Sequence, residues 1–204
     1  MMLALLFHGK GSSPEKINWL TRPFKEMGFR VEAPRIIEVA DGVAAGSRII
    51  EDEGDGVIVG GHSMGGSVAL ILAAKYPSKV KCSVVVAAPV DRVLQLKWLE
   101  RGEEGSVRRA LYNDIVSRLT MREVEETSPI RYISGNYPPV IYIRGSADDI
   151  VPIDHLELLR RKSSELGFRL IELTIEGMGH TPRSQHVRVI EDFIKDNVKR
   201  CIGS

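Results

Sequence analysis

Short apolar or β-branched runs recur at residues 3–7, 29–33, 56–60, 82–87, 139–144 and 169–175, each bounded by glycine, proline or charge. Between most of them the apolar positions widen to helical spacing, over 14–27, 40–52, 64–76, 153–166 and 182–198. In the last of these Val187, Ile190, Phe193, Ile194 and Val198 mark one face. Strands alternating with crossover-length helices predict an α/β three-layer sandwich, a mainly parallel sheet of six strands covered on both faces. One interval breaks the alternation. About fifty residues separate the fourth strand from the fifth, more than one crossover needs. Leu94, Leu96, Trp98, Leu99, Leu111, Ile115, Val116 and Leu119 give it apolar faces, and 101–104 and 123–126 give it charged ones. Two or more short helices are expected there, forming a small helical cap at about 91–137.

At 204 residues the chain is long enough for one well-buried domain, taken as 1–204. The formal charge of +1 implies no polyanionic partner, so no nucleic acid is expected. Cys82 lies in an apolar run and Cys201 near the end of the chain, which is not the spacing of a secreted disulfide scaffold. The first residues read as a strand followed by a turn, with no basic leader and no apolar run of membrane length. A cytoplasmic location with no membrane partner is therefore expected, with monomer and homodimer both open. Neither Cys nor His clusters at ligand spacing, so no metal and no cofactor are expected.

The chemistry concentrates at three turns. Gly61-His62-Ser63-Met64-Gly65 follows the apolar Val57-Ile58-Val59 and precedes a helical stretch. A serine on such a strand-to-helix turn adopts a strained backbone, and glycines two positions away on each side remove the Cβ clashes that this close approach would cause. The pentapeptide alone is weak evidence, arising by chance in about one such chain in ten. A nucleophilic serine also needs a base, and the base needs a third group to fix its tautomer. Two later turns supply candidates: Gly145-Ser146-Ala147-Asp148-Asp149 after the fifth strand, and Gly177-Met178-Gly179-His180-Thr181-Pro182 after the sixth. In a parallel sheet all three turns emerge at one carboxyl edge. From the residues alone, Asp148 and Asp149 are equally placed to face His180. His62 is read as pointing away from its neighbour on the elbow, and Trp98, Met178 and the Met64 side chain as either pocket walls or ordinary packing.

In the order Ser, Asp, His and in the elbow itself, the chain resembles the α/β-hydrolase superfamily over nearly its whole length. That resemblance implies the strand order 2-1-3-4-5-6, without the antiparallel strands that lead the full superfamily core. It favours Asp148 over Asp149, because the family's aspartate stands three after the glycine in Gly-x-x-Asp-x-x-Val-Pro, here Gly145, Asp148, Val151 and Pro152. His8-Gly9-Lys10-Gly11 is similar to the family's His-Gly loop, which implies an oxyanion hole from the backbone N–H groups of Lys10 and Met64. Many relatives carry an apolar residue at the position of Lys10. Its ammonium is read as solvated or as meeting a carboxylate of the substrate.

The activity implied is that of a serine esterase cleaving small carboxylic esters through an acyl-enzyme, with Ser63, His180 and Asp148 as catalytic residues. Fold and triad do not set the substrate. Peptidase, thioesterase, lactonase and perhydrolase chemistry on the same triad stay open, Thr127-Ser128-Pro129-Ile130 being similar to peptidase-like relatives. A non-catalytic binding protein of the same fold would typically have lost a triad residue, and none is lost here. The mixed charge of the cap argues against a strongly ionic substrate.

Overall fold

The computed structural model describes residues 1–54 and 56–203. Strands β1 (Leu3–Phe7), β2 (Arg30–Glu32), β3 (Val57–His62), β4 (Val80–Val86), β5 (Val140–Gly145) and β6 (Leu170–Ile175) form one sheet, ordered β2-β1-β3-β4-β5-β6 with every pairing parallel. The period of two decides which layer each strand residue enters. Leu3, Leu5, Phe7, Val59, Val85 and Tyr142 pack on one face with helices α2 (Val39–Asp52), α3 (Met64–Lys75) and α7 (Asp154–Leu166). Ala4, Leu6, Ile58, Val84, Val86, Ile141 and Ile143 pack on the other with α1 (Asn18–Glu26) and α8 (Ser184–Ile202), and both Cys82 and Cys201 lie buried there. This is the α/β-hydrolase fold.

Two helices differ by more than one residue from those the spacing predicts. The first helix is split, because Pro14 opens a tight 3-10 turn over Pro14–Ile17 before α1 begins. The last starts two residues late, where Arg183 donates its N–H to His186 Nδ1 at 3.1 Å, and runs on to Ile202.

The interval between β4 and β5 holds three helices, α4 (Arg92–Glu100), α5 (Val107–Arg118) and α6 (Met121–Glu126). Each starts on a side-chain cap. The Asp91 carboxylate accepts from the N–H groups of Val93 and Leu94, Ser106 accepts from Arg109, and Thr120 with Glu123 forms a capping box. Leu96, Leu99, Ile115 and Val124 make a small core of their own, closed against Ile150 and Val151 of the turn after β5. Among the described residues no helix is long and apolar enough to cross a membrane.

Candidate active site

Ser63 sits between the last residue of β3 and the first of α3 with φ 53° and ψ −121°, a left-handed backbone that a non-glycine residue rarely adopts. The surrounding structure holds it there. Its N–H donates to the Val86 carbonyl at 2.9 Å, and its carbonyl accepts from the N–H groups of Gly66 and Ser67 at 2.8 and 3.2 Å. The tight turn requires both flanking glycines. A Cβ on Gly61 would stand 2.2 Å from the Gly65 carbonyl carbon, and one on Gly65 would stand 2.2 Å from the Phe7 carbonyl oxygen.

The turns after β5 and β6 are joined main chain to main chain. Ala147 N–H donates to the Met178 carbonyl at 3.0 Å and Ser146 N–H to that of Ile175 at 2.9 Å, while a Cβ on Gly145 would overlap the Met178 oxygen at 1.9 Å. This junction brings His180 over Asp148. The His180 Nδ1–H donates to the carboxylate at 3.0 and 3.2 Å, and Nε2 accepts from the Ser63 hydroxyl at 2.8 Å. Burial of Asp148 favours its neutral form. The hydrogen bonds from His180 and from the N–H groups of Val151 and Ile150 outweigh that and hold the carboxyl below its ordinary value. Asp149 is turned outward, and its carbonyl accepts from the Trp98 indole at 2.6 Å.

A cleft of about 800 Å³ opens above these groups. Ser63, His62 and His180 lie at its base, Trp19, Ile36, Leu111 and Ile150 are among its apolar walls, and Ile37 and Val107 stand exposed at its mouth. The loop after β1 lies alongside, since a Cβ on Gly9 would come 3.5 Å from that of Ser63. His8 fixes this loop, with Nε2 accepting from Ile36 N–H at 3.0 Å and Nδ1–H donating to the Gly9 carbonyl at 2.8 Å. Among the described residues the N–H groups of Lys10 and Met64 have no acceptor.

Several expectations need correction. Met178 is not a wall of the cleft. Its side chain is fully buried with Ile143 and Ile190 on the far face of the sheet, because its main chain is the joint between two loops. Trp98 is also outside the cleft walls, held by its bond to Asp149 and by the Arg108 guanidinium 4.1 Å over its ring. The Met64 side chain packs into the core beneath α3. Lys10 is neither solvated nor waiting for a substrate carboxylate, since its ammonium already lies 2.5 Å from Glu38 and 3.2 Å from Asp114 of α5.

His62, which the sequence reading set aside, is the group it missed. Its Nε2–H donates to the His180 carbonyl at 2.9 Å, with the Trp19 ring edge-on at 5.5 Å. Burial, helped by the neighbouring His180, holds its pKa down to about 4. No local spacing signals a bond to a carbonyl 118 positions away.

Comparison with known proteins agrees with this architecture. The family described as alpha/beta hydrolase fold matches residues 53–108, the stretch holding β3, the Ser63 turn and α3. The family match covers only that part of the chain, and the fold as a whole is that of the α/β hydrolases. Among solved structures, an esterase from the hyperthermophilic archaeon Pyrobaculum calidifontis superposes with a TM-score of 0.80 at 19% identity, covering 100% of this chain and 78% of that one. A monoacylglycerol lipase from Paleococcus ferrophilus gives 0.72 at 18% identity, covering 98% and 94%. A puromycin-hydrolyzing peptidase from Mycobacterium tuberculosis gives 0.70 at 16%, covering 98% of this chain but 34% of that longer one. No curated protein matches in sequence.

Proposed function

We propose that the protein hydrolyses carboxylic esters through an acyl-enzyme. The supporting observation is the chain of hydrogen bonds from Ser63 Oγ through His180 to Asp148, linking three turns at one sheet edge with the serine on a strained elbow. In this reading Ser63 attacks the carbonyl carbon as His180 Nε2 takes its proton, and ionised Asp148 holds the Nδ1–H tautomer and stabilises the imidazolium. The oxyanion is held by the N–H groups of Lys10 and Met64, the latter at the N-terminus of the twelve-residue helix α3, where the peptide dipoles also favour negative charge. His180 returns the proton to the departing alcohol, then activates the water that releases the acid.

Apolar cleft walls suit an uncharged acyl or alcohol group, and the esterase and lipase likenesses support an ester over an amide. The test is turnover across a graded series of p-nitrophenyl esters beside thioesters and aminoacyl amides, with fluorophosphonate labelling. Ester turnover that falls by at least about 10⁴-fold in Ser63→Ala, together with loss of labelling, is the expected result. Amide cleavage with negligible ester turnover would reassign the substrate. A folded wild-type protein that takes no label would make the cleft a binding site.

A further inference from the structure

Each ring nitrogen of His62 has its role set by its surroundings. A carbonyl oxygen only accepts, so the 2.9 Å contact with the His180 main-chain oxygen places the proton on Nε2. The ring is buried, and a pKa of about 4 keeps it neutral with Nδ1 as a lone pair. What this N–H grips is the weak point of the site. In the loop carrying His180, Gly177 has φ 72° and a Cβ on Gly179 would touch nothing within 4 Å. Main-chain hydrogen bonding stops at Met178, and it resumes at Arg183, which caps α8. Among the described residues, the His180 carbonyl is the one main-chain group between 179 and 182 with a hydrogen-bond partner, and that partner is His62. The two triad hydrogen bonds hold only the His180 ring.

We propose that His62 is a positioning residue for the hydrolytic reaction, tying the histidine loop to the nucleophile turn through its Nε2–H so that the His180 ring meets Ser63 and Asp148 together. The inference rests on the triad reading above. Because His62 immediately precedes Ser63, one bond fixes the serine turn and the histidine main chain in a common frame. The Trp19 ring packs edge-on against the His62 ring, with centroids 5.5 Å apart. A misplacement of about 1 Å at such a site costs on the order of 100-fold in rate.

The experiment compares His62→Phe, which keeps a planar ring without the donor, with His62→Gln, whose amide N–H reaches about as far. His62→Met serves as the donor-free variant if the phenylalanine one does not fold. Measured are kcat and KM on a short-chain ester, the fluorophosphonate rate at Ser63, and amide hydrogen exchange over residues 177–183. Loss of the donor is expected to lower kcat and the labelling rate about 10- to 100-fold with KM within about twofold, and to speed exchange in the loop. Glutamine is expected to recover most of both. Wild-type kcat in the donor-free variant, or glutamine as impaired as phenylalanine, would overturn the proposal. Should the wild-type protein turn over no ester, the functional reading fails by itself. Loop exchange then decides the tether, and unchanged exchange in the donor-free variant would end it.

Discussion

Around Ser63 the chain packs backbone against backbone, and nearly every side chain of β1, β3, β4 and β5 is buried. In the cap, α5 buries only Ile115, and beside a small apolar core the helices rely on capping and on exposed ion pairs such as Arg118–Asp114 and Arg122–Glu126. On the proposed function the difference separates two tasks. Proton transfer needs atoms fixed to fractions of an ångström, which close-packed backbone provides. A cover over a cleft has to admit substrate, and exposed ion pairs are worth too little to lock it.

The sharpest test replaces a charge on the sheet side. Asp148→Asn keeps the shape of the site but removes the group that fixes the His180 tautomer, and turnover is expected to fall on the order of 10⁴-fold with the fold retained. Asp149→Asn, one residue along and exposed, is expected to stay within about twofold. Ester kinetics on the two variants check this; equal losses would mean that neither aspartate is specifically the partner of His180.

Next in size is a contrast between glycines. Gly65→Ala drives a methyl group against the Phe7 and His8 main chain, at 2.2 to 2.6 Å, where no side chain can move aside. A loss of about 4 kcal/mol or failure to fold is expected. Gly135, in the segment before β5, has nothing within 4 Å of a built Cβ, and alanine there should change stability by less than about 0.5 kcal/mol. Urea denaturation midpoints measure both. Similar midpoints would erase the distinction between a packed edge and an open cap.

Acid should weaken the sheet side first. His62 and His155 are both buried and held down to about 4 from 6.5. An unfolded chain binds these protons below 6.5 while the folded one does not until about 4, so stability falls as pH drops through that window. The slope is at most about 1.4 kcal/mol per pH unit for each histidine. Asp148 behaves differently. Its carboxyl is held below 3.8, so its contribution is intact above that value and is lost only as pH falls through the lowered one. Urea midpoints from pH 7 to 4.5 test this, and His62→Gln should flatten the curve. A midpoint independent of pH across that range would contradict it.

The same division governs what could be read in the sequence. The six strands and their helices were legible because burial on both faces leaves continuous apolar runs, as in Leu3-Ala4-Leu5-Leu6-Phe7, and because turn residues bound them. The turns holding Ser63, Asp148 and His180 were legible because each follows a strand and carries its own glycines. Neither the starts of the cap helices, at Asp91, Ser106 and Thr120, nor the way they face was legible, since their side chains are apolar on several sides and half exposed. Trp98 and Met178 were misassigned for the same reason: an apolar residue near a catalytic turn fits a core as well as a cleft. His62 and Lys10 were misread because their partners lie 118, 28 and 104 positions away, and pairing over such distances leaves no local pattern.

The smallest expected effect lies where the two regions meet. Lys10–Asp114 is the one ion pair among the described residues that joins the cap helices to the loop beside Ser63. Burial opposes the charge on Asp114, but Lys10 and Arg118 hold its carboxyl below the usual range, so Asp114 is ionised at neutral pH. With 36% of the Asp114 side chain exposed, solvent screens it, and Asp114→Asn should cost less than about 1 kcal/mol of stability. Lys10 keeps Glu38, so the loop and its N–H should stay in place and kcat should hold. What should change is access, seen as a KM shift below about fivefold, the equivalent of about 1 kcal/mol. Raising the salt concentration should move wild-type KM toward the variant's value and leave the variant almost unaffected, because the same pair is being screened in one and is absent from the other. A kcat loss as large as that of a triad variant would instead mean that the pair sets the geometry of the oxyanion loop, and the cap would then belong to the catalytic frame.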